Sequence, residues 1–196
     1  MKDLIFATNN ENKVLEMRSV LGSLYSIISL KEAGIYIDIP EPFDTLEANA
    51  SEKSKVIFDL TKKDCFSEDT GLEITSLGGK PGVLSARYAG EKKDAHDNNL
   101  KVLDELSAYS DRSAQFRTII SLRLNGKEYK FEGICKGTIL AYRQGIKGFG
   151  YDSIFIPEGS AKTFAEMDMA QKNQFSHRKI AISKMISFLR TNGIIE

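Results

Sequence analysis

The sequence predicts a mixed-sheet α/β protein on three observations. A short apolar run at the start gives way to a helical pattern. A long stretch of two-residue alternation ends in Asn-Gly, and an amphipathic helix closes the chain. Strand-then-helix units argue parallel pairing, whereas the Asn-Gly stretch argues a long antiparallel hairpin.

Each element has a local reason. Leu4-Ile5-Phe6-Ala7 reads as a buried strand that stops at Thr8-Asn9-Asn10. From Asn12 onward Val14, Met17 and Leu21 recur at helical spacing, and Gly22 supplies the stop. Asp44 or Thr45 is suited to cap a second helix, whose Leu46, Ala50, Lys53 and Ile57 fall along one stripe. Cys65-Phe66-Ser67 reads as a short strand ending at Glu68-Asp69-Thr70-Gly71. Farther on, Ala114, Phe116, Thr118, Ile120, Leu122 and Leu124 alternate with Gln115, Arg117, Ser121 and Arg123, a strand with one wet face. Asn125-Gly126 is the favoured two-residue hairpin turn, and Lys127 to Cys135 returns as the partner strand. Ser176 is a good cap for the last helix, Ile182, Met185 and Leu189 make its stripe, and Gly193 ends it.

The 196 residues suit a single domain spanning 1–196, or two lobes sharing a core. Lys plus Arg number 27 and Asp plus Glu 27, so the net charge is zero; a polynucleotide-coating protein is disfavoured, and an anionic ligand needs a local cluster of cations. The opening residues lack the apolar core of a signal peptide, and no stretch approaches the ~20 apolar residues of a membrane span. Cys65 and Cys135 have no metal-ligand spacing, which favours a reducing, cytoplasmic location and a role as small core hydrophobes.

Six groups of residues carry candidate chemistry. Thr8-Asn9-Asn10-Glu11-Asn12-Lys13, between a strand and a helix, offers backbone N–H groups and a positive helix end, although Thr and Asn also cap helices without any ligand. Ser67-Glu68-Asp69-Thr70-Gly71 sets two adjacent carboxylates where they can bind Mg²⁺ and orient a water, or simply form an acidic turn. Glu41, Asp44 and Glu47 form a second acidic group, one member of which can complete a metal site with Asp69. The loop Leu77 to Val83 holds three glycines and a proline. In Gly148-Phe149-Gly150-Tyr151-Asp152, glycines flank an aromatic ring that can stack on a base, with Asp152 as an acceptor for a ring N–H. Lys172, His177 and Arg178 gather cations near a helix start, where a cation is otherwise disfavoured; that points to an anion. Together these are the parts of a nucleoside triphosphate site. No Ser/His/Asp elbow accompanies them, so covalent catalysis is not expected.

In the order Thr8 to Lys13, Ser67 to Leu72, Leu77 to Tyr88, Gly148 to Asp152 and Ser176-His177-Arg178, the motifs resemble the inosine/xanthosine triphosphate pyrophosphatase family (Ham1-like or RdgB-like). The resemblance implies an elongated mixed β-sheet flanked by helices, two lobes with a substrate cleft between them, and a homodimer. It implies hydrolysis of dITP, ITP and XTP to the monophosphate and pyrophosphate with Mg²⁺. By position, Thr8, Asn9, Asn10, Glu11, Asn12 and Lys13 would hold the triphosphate with Lys172 and Arg178. Asp69 would be the general base and a metal ligand, flanked by Glu68 and Thr70, with Glu41 or Glu68 as a further ligand. Phe149 would stack on the purine, Gly150 and Tyr151 beside it would belong to the substrate-binding turn, and Asp152, His177 and Arg178 would read the keto edge. Glu68-Asp69-Thr70-Gly71 stands where many bacterial members carry Asp-Asp-Ser-Gly. A Maf-type pyrophosphatase is the alternative of similar fold, but its Ser-x-Arg-Arg opening is absent. A nucleotide sensor without turnover would be expected to lack Asp69 or Lys13, and both are present.

Overall fold

The computed structural model describes residues 2–22 and 24–195. In chain order the elements are β1 (Lys2–Phe6), α1 (Glu11–Leu21), β2 (Tyr25–Ser29), α2 (Leu46–Thr61), β3 (Cys65–Ile74), β4 (Pro81–Gly82), α3 (Ala95–Glu105), β5 (Ser113–Leu124), β6 (Lys127–Ile139), β7 (Phe155–Pro157), α4 (Met169–Lys172) and α5 (His177–Thr191). The strands hydrogen-bond in the order β2-β1-β3-β5-β6-β7, with β4 beside β3. β1 runs parallel to β2 and β3, while β4 and β7 are antiparallel to β3 and β6, so the sheet is mixed as expected. The chain divides into two compact units: Met1–Asp69 with Thr118–Gly133 and Arg178–Glu196, and Thr70–Arg117 with Ile134–His177.

In the first unit side chains cap α1 and α2. Asn10 Oδ1 accepts from the Asn12 and Lys13 backbone N–H groups at 3.0 and 3.3 Å and starts α1. Thr45, rather than Asp44, caps α2 by accepting from the Ala48 N–H at 3.2 Å. The apolar stripes of α1 and α5 meet β1 and β5 in one core, in which Leu4, Met17, Ile120, Ile182, Met185 and Leu189 are buried. A smaller cluster joins Ile57 of α2 to Ile5 and Cys65. Asn125 and Gly126 at φ 49° and 80° both occupy the left-handed region, the requirement of a type I′ turn between β5 and β6.

Two expectations are corrected. β5 is not wet along one face: Thr118, Ile119, Ile120, Ser121 and Leu122 are all buried in succession. α2 covers the polar side there, and Ser54 Oγ lies 2.7 Å from Ser121 Oγ. Nor does β3 stop at Glu68; it continues through the acidic pair to Ile74. Gly71, which reads as a turn in the sequence, is a strand residue whose missing side chain admits β4, since a Cβ there would sit 2.7 Å from the Gly82 carbonyl oxygen.

The second unit packs Leu72, Ile74, Phe116, Phe155 and Phe164 into its own core. Phe116 meets Phe155 edge-on at 4.7 Å between centroids. Both cysteines are buried, and burial pushes each thiol up to about 12, in keeping with inert core residues. No described helix is long and apolar enough to cross a membrane.

Two predictions follow from this packing. At Gly137 a Cβ would be driven into the Ile156 carbonyl and the Phe155 ring. Gly137→Ala is therefore expected to cost about 2 kcal/mol, lowering Tm by roughly 4–8 °C in calorimetry for a chain of this size. Glu32 accepts from the Ser29 N–H and hydroxyl and from Arg18, and these bonds lower its pKa from 4.5 to about 2. A depressed pKa contributes stability above the unfolded value and loses it as pH falls through the folded one. The Tm difference between the parent protein and Glu32→Gln should accordingly be widest at neutral pH and shrink between pH 4.5 and about 2.

Candidate active site

Consecutive strand residues point to opposite faces, so Glu68 and Asp69 on β3 cannot share one environment. Both are buried, at 1% and 6% exposure, and each therefore needs its own cation. Glu68 is clasped by Arg178 of α5, with Nε on Oε2 at 2.6 Å and Nη2 on Oε1 at 2.9 Å. Lys13 Nζ of α1 reaches Oε1 at 3.0 Å. The remaining arm of Arg178, Nη1, is bonded to Glu16 of α1, itself buried. Burial alone would raise the Glu68 pKa, but Arg178 and Lys13 outweigh it and hold the carboxyl far below the usual range.

On the other face, Lys53 of α2 donates to Asp69 Oδ1 at 3.0 Å and to Glu41 Oε1 at 2.5 Å. Burial and the like charge of Glu41 raise the Asp69 pKa against the pull of Lys53. For Lys53 the opposite sum holds: burial would lower it, and Asp69 and Glu41 together keep it raised and charged. Asp69 Oδ2 is buried and has no hydrogen-bond partner among the described residues. A desolvated carboxylate oxygen with open lone pairs, and a second carboxylate on the same ammonium, fit a hard divalent cation that completes its shell with phosphate oxygens and water.

Among the described residues no three His, Cys, Asp or Glu side chains converge as a metal site. Glu68 is engaged by Arg178 and Lys13, whereas Asp69 and Glu41 share Lys53. The turn between β1 and α1 is exposed at Asn9, Asn10, Glu11 and Asn12. Within it Thr8 Oγ1 accepts from the Asn10 N–H at 3.2 Å, and Asn9 Nδ2 donates to the Ile37 carbonyl at 3.0 Å.

In the second unit, Gly148 and Gly150 take φ 71° and 61° to form a tight turn. Asp152 Oδ2 closes it by accepting from the Phe149 N–H at 2.9 Å, and it also accepts from Lys172 Nζ of α4 at 2.5 Å. A side chain at Gly148 would collide with that carboxylate. The Lys172 ammonium lies 5.1 Å from the Phe149 centroid and 5.2 Å from that of Phe164. Phe149, Asp152 and Lys172 are thus brought together. Tyr151 is buried in the core and its hydroxyl donates to the Ser85 carbonyl at 2.8 Å, supporting the turn from beneath. His177 is buried and stacks on Phe116 at 4.9 Å. Thr70 is half-buried on β3.

The cations of the Ser-His-Arg region do surround anions, but those anions belong to the protein: Glu68 and Glu16 for Arg178, and Asp152 for Lys172. Sequence reasoning missed Lys53 and Glu16 as site residues. A lysine on an apolar helix stripe is a legible sign of a buried, paired cation. Glu16 carries no such sign, since its partner lies 162 residues away.

The Ham1 family's sequence profile matches residues 4–188. The dITP/XTP pyrophosphatase of Flavobacterium johnsoniae is 48% identical over 95% of this chain and 97% of its own. That of Bacillus subtilis is 42% identical over 96% and 98%. Among solved structures, the Ham1 protein of Staphylococcus aureus superposes with TM-score 0.87 at 36% identity, covering 97% of this chain and 100% of that one. A HAM1 protein from Coxiella burnetii gives 0.88 at 34%, covering 97% and 100%. Matches of this extent, in both sequence and fold, place the whole acidic strand, the glycine-flanked aromatic turn and the last helix in one lineage: the chain belongs to the Ham1 family.

Proposed function

We propose that this chain hydrolyses non-canonical purine nucleoside triphosphates (dITP, ITP and XTP) to the monophosphate and pyrophosphate. The observation that carries the reading is Asp69: a buried carboxylate with a raised pKa and one oxygen unpartnered among the described residues, held beside Glu41 by Lys53, in a member of the Ham1 family. A base with such a pKa is better matched to neutral pH than an ordinary aspartate. Asp69 takes a proton from water as the water oxygen bonds to the α-phosphorus and the bond to the bridging oxygen of the β-phosphate breaks. Lys13, the exposed Thr8–Asn12 turn and the positive end of α1 hold the polyphosphate. A Mg²⁺ ion held by Asp69 and Glu41 would offset the charge that develops on the leaving pyrophosphate. Phe149 takes the purine on the ring face away from Lys172, with Gly150 at the turn, while Asp152 accepts the ring N–H of a keto purine. Lys172 and Tyr151 fix that turn, His177 packs on Phe116 of β5, and Arg178 and Glu68 fix the strand that carries Asp69. The same reading makes the full chain one catalytic domain, acting as a cytoplasmic homodimer; a monomeric mass by light scattering would remove the dimer from it.

Product analysis tests the activity. With Mg²⁺, dITP and XTP should give pyrophosphate, dATP and dGTP far less, and Asp69→Asn should lose at least about 10³-fold in kcat while keeping its circular dichroism. Orthophosphate release, or equal rates on all four nucleotides, would overturn the proposal. The pH dependence carries its own sign. Because Asp69 acts as the anion, kcat/KM should fall on the acid side; burial and Glu41 raise its pKa whereas a bound divalent cation lowers it, so the acid limb should move to lower pH as Mg²⁺ is increased. Lys53→Met removes a cation that opposes the rise, so the acid limb should move to higher pH.

A further inference from the structure

The glycine-flanked turn is held from below by α3, and one side chain makes the attachment. Asn99 is 1% exposed. Its Nδ2 donates to the Ala95 carbonyl at 2.5 Å and to the Gly150 carbonyl at 2.8 Å, so both amide hydrogens are used. The partners fix which end of the amide faces the turn, because two carbonyl oxygens accept only from the NH₂ group. Its Oδ1 receives a longer contact, 3.5 Å, from the Ser153 hydroxyl. Ser153 Oγ accepts from Arg143 Nε at 3.2 Å, and Arg143 Nη1 meets His96 Nδ1 at 2.5 Å. His96 and Asn99 both belong to α3, so the chain His96–Arg143–Ser153–Asn99–Gly150 leaves the helix and returns to it, enclosing the residues that flank Asp152.

Gly150 lies between the aromatic ring of Phe149 and the carboxylate of Asp152. At φ 61° it has none of the steric limits that would fix another residue. The Asn99 bond to its carbonyl supplies the restraint that the glycine itself lacks. We propose that Asn99 is a positioning residue for base selectivity, fixing the Gly150 carbonyl and thereby the placement of Phe149 relative to Asp152. The inference rests on the reading of this turn as the purine-binding element. Keto and amino purines differ by a donor and an acceptor at nearly the same place, so discrimination depends on how tightly the reading groups are held.

The test uses Asn99→Asp, which keeps shape and volume but removes the donor and sets a carboxylate against two carbonyls. The phosphate-side groups are untouched, so kcat for dITP should stay within about 3-fold, KM should rise about 10-fold, and the kcat/KM preference for dITP over dATP should fall about 10-fold. Amide exchange of Phe149 and Asp152, read by mass spectrometry, should accelerate. Unchanged selectivity in a folded Asn99→Asp protein overturns the proposal, because a space-filling role is preserved in that variant. If Asn99→Asp does not fold, Ser153→Ala takes its place; it removes only the hydroxyl link, and a selectivity loss of about 3-fold supports the proposal whereas none overturns it. Absence of dITP hydrolysis by the unsubstituted protein would defeat the function reading separately; the positioning claim is then decided by amide exchange at Phe149 and Asp152, whose lack of response would defeat it too.

Discussion

Two adjacent carboxylates buried on one strand impose the central constraint on this protein. Strand geometry sends Glu68 and Asp69 to opposite faces of β3. A buried carboxylate without a cation and hydrogen bonds is too costly to keep ionised. Each face of the strand therefore has to bring a cation on a covering helix. Arg178 of α5 and Lys13 of α1 serve Glu68, and Lys53 of α2 serves Asp69. Removing one partner of such a pair costs about 3–5 kcal/mol, because a charge is left uncompensated, so these contacts fix helix placement as firmly as the apolar stripes do.

The two carboxylates are then chemically distinct even though they are neighbours in sequence. Glu68 is saturated: a bidentate guanidinium and an ammonium hold it ionised, and it orders the strand. Asp69 has one oxygen on Lys53 and the other without a partner among the described residues, with a like charge nearby on Glu41. Burial and repulsion raise the pKa of the second while charge pairing lowers that of the first. Pairs of acids driven apart in this way commonly divide structural and proton-transfer work.

The turn at Gly148–Asp152 repeats the logic with a single carboxylate. Asp152 bonds a backbone N–H inside its own turn and an ammonium outside it, and that ammonium also lies over the Phe149 ring. The glycines permit the tight path but do not hold it; Asp152, Lys172 and Asn99 do.

Much of this was legible in the linear chain. Periodicity located α1, α2 and α5, Asn125-Gly126 fixed the hairpin, and the side-chain oxygens of Asn10 and Thr45 marked helix starts, because capping, turn chemistry and amphipathicity act over a few residues. The motifs also carried the family and hence the reaction. What only the tertiary structure decided are the long-range pairings: that Arg178 faces Glu68 and Glu16, that Lys53 on an apolar stripe serves Asp69, that Gly71 lies in a strand, and that both faces of β5 are covered at Ser121. The reason is physical: a local pattern states which residue types can be buried, but a buried charge is tolerated only by a specific partner, and partners 16 to 162 residues apart are brought together by folding alone.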